Sequence, residues 1–157
     1  MPGGLNKQPI FTATPLLVSK TIDPVRFLDK IYSPNDAPPN DFFVATDDYG
    51  TLIERITVSS VGDLNNTTVN EKFVYLFIYD NNTSEWVLYK TGYIPATTID
   101  ATTLNPTIEW VFTGGLLLPD SFKIGFGASK NYNDSTPQYQ GDKLAVTLEG
   151  SSYTQPA

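Results

Sequence analysis

The stretch "FVYLFIYDNNTSEWVLYKTGY", residues 73–93, carries apolar side chains on both faces of an extended chain. Successive side chains of a strand point to opposite sides of its sheet. Val74, Leu76 and Ile78 therefore share one face, and Phe73, Tyr75, Phe77 and Tyr79 share the other. "DNNTSE" in the middle is turn chemistry, because Asp, Asn and Ser side chains bond nearby backbone groups. With residues 81–84 as the loop, Asp80 pairs with Glu85, Tyr79 with Trp86, Ile78 with Val87, Phe77 with Leu88 and Leu76 with Tyr89. Directly opposite residues share a face. One face then holds Leu76, Ile78, Val87 and Tyr89, and the other holds Tyr75, Phe77, Tyr79, Trp86 and Leu88, with Lys90 beside Tyr75. The aliphatic face is the natural core face. The aromatic face needs a second cover: a loop of the same chain such as "GGLLLPD" (114–120) or the Pro-rich segment at 23–40, another protein, or a sugar stacked on the rings.

The rest of the chain repeats the strand signal. Short runs rich in Val, Ile, Thr, Tyr and Phe recur between turn signals, as in sandwiches and barrels. Strands are predicted at 14–22, 42–46, 51–60, 72–80, 85–91, 107–113, 121–129 and 143–149. In "SFKIGFGAS" Phe122, Ile124, Phe126 and Ala128 oppose Ser121, Lys123, Gly125, Gly127 and Ser129. In "KLAVTLE" Leu144, Val146 and Leu148 oppose Lys143, Ala145, Thr147 and Glu149. Such alternation places one face on a core and one in water. In "IEWVF" Ile108, Trp110 and Phe112 share the core side, and in "VATDDYG" Gly50 supplies a turn residue free to take positive φ. The fold class expected is all-β: an antiparallel β-sandwich of about eight strands, jelly-roll or immunoglobulin-like. "DPVRFLDKIY" interrupts the rhythm; Asp23 as N-cap and Pro24 at the first position suggest one short helix at 24–32. Residues 1–9 read as an N-terminal arm, 10–150 as a single domain and 151–157 as a C-terminal tail.

Composition narrows the chemistry. The 157 residues include no Cys and no His, which removes thiolate and imidazole ligands, Cys nucleophiles and any Ser-His-Asp arrangement. Seventeen carboxylates could contain a glycosidase pair, yet no spacing singles one out. "DNNTSE" and "NDAPPND" offer oxygen ligands but lack the spacing of a calcium loop. No catalytic residue, metal or cofactor is therefore assigned. The net charge is −7 with only Arg26 and Arg55 as arginines, so no basic stripe for nucleic acid is present. No apolar run is long enough to span a bilayer as a helix, and "MPGGLNKQPIF" lacks the pattern of a signal peptide. The Asn-x-Ser/Thr triplets at Asn65, Asn66, Asn81, Asn82 and Asn133 read as by-products of Asn- and Thr-rich loops. A soluble protein made in a cytoplasm is the expectation.

Several segments, taken in order, resemble a family of small tailed-bacteriophage proteins. They are "GTLIERI" at 50–56, "LFIYD" followed by "WVL" within 76–88, "IPATT" at 94–98, "LLLPDSFKIGFGAS" at 116–129 and "LAVTLEG" at 144–150. The resemblance covers about the last hundred residues. It departs in the N-terminal third, where a longer excursion over 21–40 replaces a short lead-in strand. It implies a virion structural protein made in the host bacterial cytoplasm, with a single all-β domain and no enzymatic activity. A capsid decoration or auxiliary head protein bound to the major capsid protein is the role implied first; a tail, neck or fibre-attachment role fits the same features. A carbohydrate-binding or host-adhesion module is the alternative. Particle surfaces offer local symmetry axes, so a homo-oligomer is expected, a trimer by preference. The interface residues expected are Tyr75, Phe77, Tyr79, Trp86 and Leu88 on the aromatic face, with Phe27 and Tyr32 on the N-terminal excursion.

Overall fold

The computed structural model describes residues 12–27, 38–46, 49–61, 68–69, 71–129 and 143–154. In chain order the strands are β1 (Thr12–Ile22), β2 (Val25–Phe27), β3 (Asp41–Val44), β4 (Thr51–Val61), β5 (Thr68–Val69), β6 (Lys72–Asp80), β7 (Glu85–Ile94), β8 (Thr97–Thr98), β9 (Thr107–Leu118), β10 (Lys123–Ser129) and β11 (Lys143–Thr154). Four of them form one sheet in the order β1-β11-β4-β9. A second, five-stranded sheet runs β2-β10-β6-β7, with β3 also paired to β10. β5 and β8 make a separate short ladder.

The eight principal strands are β1, β3, β4, β6, β7, β9, β10 and β11. The chain changes sheet at every step between them except at the β6–β7 hairpin. In that count the sheets read first-eighth-third-sixth and second-seventh-fourth-fifth. This is the connectivity of a jelly roll, two Greek keys wound into a sandwich. It decides against the immunoglobulin-like arrangement, which keeps its first two strands in one sheet.

The core forms where the predicted alternation points inward. Ile53, Ile56 and Val58 of β4 and Leu144, Val146 and Leu148 of β11 meet Val74 and Leu76 of β6 and Ile124 and Phe126 of β10. Phe112 is buried in the same cluster, with Ile108 and Trp110 packed against it. Phe42 and Phe126 meet edge to face, with ring centroids 5.2 Å apart. Each fully buried aliphatic or aromatic side chain contributes about 1.5–3 kcal/mol. Among these apolar groups lies a buried lysine. The Lys72 amine donates to the Ser60 hydroxyl at 2.8 Å, joining β6 to β4 across the sandwich.

Four expectations need correction. No helix begins at Pro24: Val25–Phe27 is strand β2, parallel to β10 at Gly127–Ser129. Residues 28–32, the rest of the expected helix, lie outside the described residues. The edge of β10 that β3 leaves open beyond Gly125 and the β-favouring Val25 and Phe27 outweigh the capping signal there. "GGLLLPD" is not a loop over the aromatic face. Gly114–Leu118 continue β9 in the other sheet, where Leu118 is buried in the core and Leu116 packs on it. The outward side of β10 is not wet throughout, since Gly125 and Gly127 are buried. The domain boundary drawn at 150 falls inside β11, whose Ser151–Thr154 segment pairs with Thr12–Pro15 of β1.

Candidate functional site

The outward face of the second sheet carries the aromatic side chains. Its rows follow from the strand registers. Lys123, Tyr79 and Trp86 lie side by side, then Gly125, Phe77 and Leu88, then Val25, Gly127, Tyr75 and Thr91, and last Phe73 beside Tyr93. The hairpin pairs as predicted from Asp80–Glu85 through Phe77–Leu88. The turn at 81–84 is braced by the Asp80 carboxylate, which accepts from the Asn82 N–H at 2.8 Å. Beyond Leu88 the register shifts. Leu76 pairs with Lys90 rather than Tyr89, and Tyr75 with Thr91 rather than lying beside Lys90. Tyr89 is the extra residue of a β-bulge, an insertion that the alternation pattern does not reveal.

The chain itself covers the middle of this face. Phe77 is fully buried and Trp86 is 7% exposed, and together they form a second hydrophobic cluster with Val25, Tyr75 and Tyr79 packed against it. Gly127, which pairs with Val25 of β2, is buried. A glycine makes this close cover feasible. A Cβ on Gly125 would come within 3.0 Å of both the Asn40 carbonyl oxygen and the Pro39 ring, so residues 39–40 lie directly over β10 beside Phe77. The rings contact one another, Tyr79 to Trp86 at 5.3 Å and Tyr75 to Phe77 at 6.3 Å. Lys123 closes the row at the turn end. Its amine lies 4.9 Å from the Tyr79 ring centroid and 3.1 Å from the Asp41 carboxylate of β3.

Of the expected interface residues, Phe77 and Trp86 are thus buried within the chain, Tyr75 and Tyr79 are half-buried and Leu88 is 38% exposed. Burial raises the Tyr75 phenol pKa above its ordinary value. Phe27 ends β2, and Tyr32 lies outside the described residues.

The strongly exposed rings are at the far end of the sheet. Phe73 and Tyr93 face each other across β6 and β7, 51% and 50% exposed, with ring centroids 5.7 Å apart and planes at 51°. Partial desolvation, a hydrogen bond to the Glu71 carboxylate and that group's negative charge push the Tyr93 phenol pKa up. The site is thus two adjacent half-exposed rings bordered by a carboxylate. Phe73 was legible as part of the aromatic face. Tyr93 was not, because the predicted strand ended at 91 and the bulge sets its register.

Elsewhere, a cleft of about 390 Å³ opens on the first sheet, lined by residues that include Glu54, Arg55, Phe112 and Glu149. Arg55 there pairs with Glu109 at 3.2 Å. Among the described residues no group of three or more carboxylates is placed to hold a metal ion. No described helix is long and apolar enough to cross a membrane.

No protein-family model matches this chain, and no curated protein does. Among solved structures it is similar to the globular domain of zebrafish complement 1qA protein. The likeness is at 14% identity and a TM-score of 0.44, covering 96% of this chain and 100% of that one.

Proposed function

We propose that this chain is a non-catalytic structural protein of a bacteriophage virion, a capsid decoration or auxiliary head protein that ties neighbouring capsid subunits together. The observation that carries the contact role is the half-exposed Phe73–Tyr93 pair, with Leu88 exposed on the same face. Tyr and Phe are enriched at protein interfaces, where they give large contact area at low entropic cost. The sequence resemblance supplies the particle. Behind the exposed rings the sheet packs on the main core, and beside them on the same face lies the Phe77–Trp86 cluster. A sheet so backed presents its contact residues on a rigid surface.

The test is the double variant Phe73→Ser/Tyr93→Ser, mixed with particles that lack the chain. The reading predicts that the variant keeps its β signature and melting temperature while its copy number on sedimented particles falls by roughly tenfold or more, as for loss of interface anchors. Undiminished incorporation would count against it.

One observation favours a second reading, a carbohydrate-binding module for host adhesion. Exposed rings next to the Glu71 carboxylate match what a sugar needs, a ring face to stack on and an acceptor for its hydroxyls. Glycan binding that Tyr93→Ser abolishes, without any particle association, would select that reading.

A further inference from the structure

Strand β7 is the edge of the second sheet, and among the described residues it pairs with β6 alone. Trp86 and Ile94 are its buried residues; apolar side chains are exposed on both of its faces, Val87 (54%) and Tyr89 (42%) inward and Leu88 outward. An edge strand of ten residues with apolar side chains on both faces is a template for a further strand.

The charges on β7 say which strand fits. Glu85 pairs with Asp80, and Lys90 pairs with Leu76, so both side chains lie on the inward face. Five positions apart in a regular strand they would point to opposite faces. The bulge at Tyr89 brings them to the same one.

We propose that β7 pairs antiparallel with β7 of a second copy of this chain, about a two-fold axis through Val87. Val87 then faces its own equivalent. Trp86 lies opposite Leu88 of the second copy, and Glu85 opposite Tyr89, with Lys90 of the second copy next to it on the same face. The two-fold repeats each contact, giving two Glu–Lys pairs and apolar contacts on both faces of one sheet running through both copies. A bulge and a lysine on an edge ordinarily discourage pairing. Here the lysine meets an opposite charge in this antiparallel register and none in the registers shifted by one pair either way, so the same features select the register. The interface is a single strand edge, so association at about micromolar concentration is expected. A two-fold dimer replaces the trimer expected from particle symmetry. It stands independently of the virion reading, because it concerns the isolated chain.

Sedimentation of the purified full chain over a concentration series tests this. The wild-type chain reaches a dimer. Glu85→Lys and Lys90→Glu each weaken it on the order of tenfold, since two attractions become repulsions, and the double swap E85K/K90E restores it to within about threefold. Val87→Arg, which sets like charges together at the axis, stays monomeric with an unchanged circular dichroism spectrum. A wild-type chain that remains monomeric at the highest concentration, one that forms trimers, or a double swap as weak as the single ones would overturn the proposal.

Discussion

Trp86 and Tyr93 stand on the same strand and the same face, yet one is 7% exposed and the other 50%. Sequence shows both as large aromatic residues, and nothing in the residue type separates them. The difference lies in what packs against each: Phe77 and Tyr79 at Trp86, and at Tyr93 only Phe73 among the described rings, itself half-exposed. The two should therefore respond differently to truncation. Trp86→Ala empties a packed cluster and should destabilise the chain by about 3 kcal/mol or more. Tyr93→Ala should cost less than about 1 kcal/mol, as surface changes do. Denaturant unfolding of both variants checks this; equal losses would mean that Tyr93 is as covered as Trp86. The buried amine of Lys72 was likewise invisible beforehand. A lysine at the first position of a strand reads as solvated, and only the fold brings it to Ser60.

At the scale of elements, alternation carried most of the information. The inward rows of β4, β6, β10 and β11 and the first half of the β6–β7 register were legible, because turn chemistry and period-two burial agree there. Two things were not. A bulge adds a residue without changing the composition of the strand, so Tyr89 and Lys90 were assigned the wrong neighbours. Strand β2 has three residues, too short for its own pattern to compete with the Asp23-Pro24 capping signal. The glycines of β10 read as a wet face, although at Gly125 the lack of a side chain is what lets the chain fold over it. A methyl group at Gly125 would press on Pro39 and the Asn40 carbonyl, so Gly125→Ala should destabilise by about 1–3 kcal/mol. It should also loosen residues 38–40, seen as faster backbone hydrogen exchange near Phe42. An unchanged melting temperature and exchange pattern would show that the cover over β10 is not tight.

For the whole molecule, the sequence indicated a sandwich and left its winding open. Strand order depends on which distant segments pair, and local patterns do not encode that. The observed order makes the chain a jelly roll whose first and last described strands pair in the β1–β11 ladder. The proposed attachment to other proteins draws on two features of this body, its acidic net charge and the exposed Phe73–Tyr93 pair at one end of the second sheet. The most direct measurement of that role is the position of this chain on intact, purified virus particles, by electron cryomicroscopy or cross-linking. The account predicts regular copies on the particle, with the outward face of the second sheet turned toward a neighbouring virion protein and Phe73 and Tyr93 within the contact. Particles that lack the chain, or that carry it with that face turned to solvent, would contradict it.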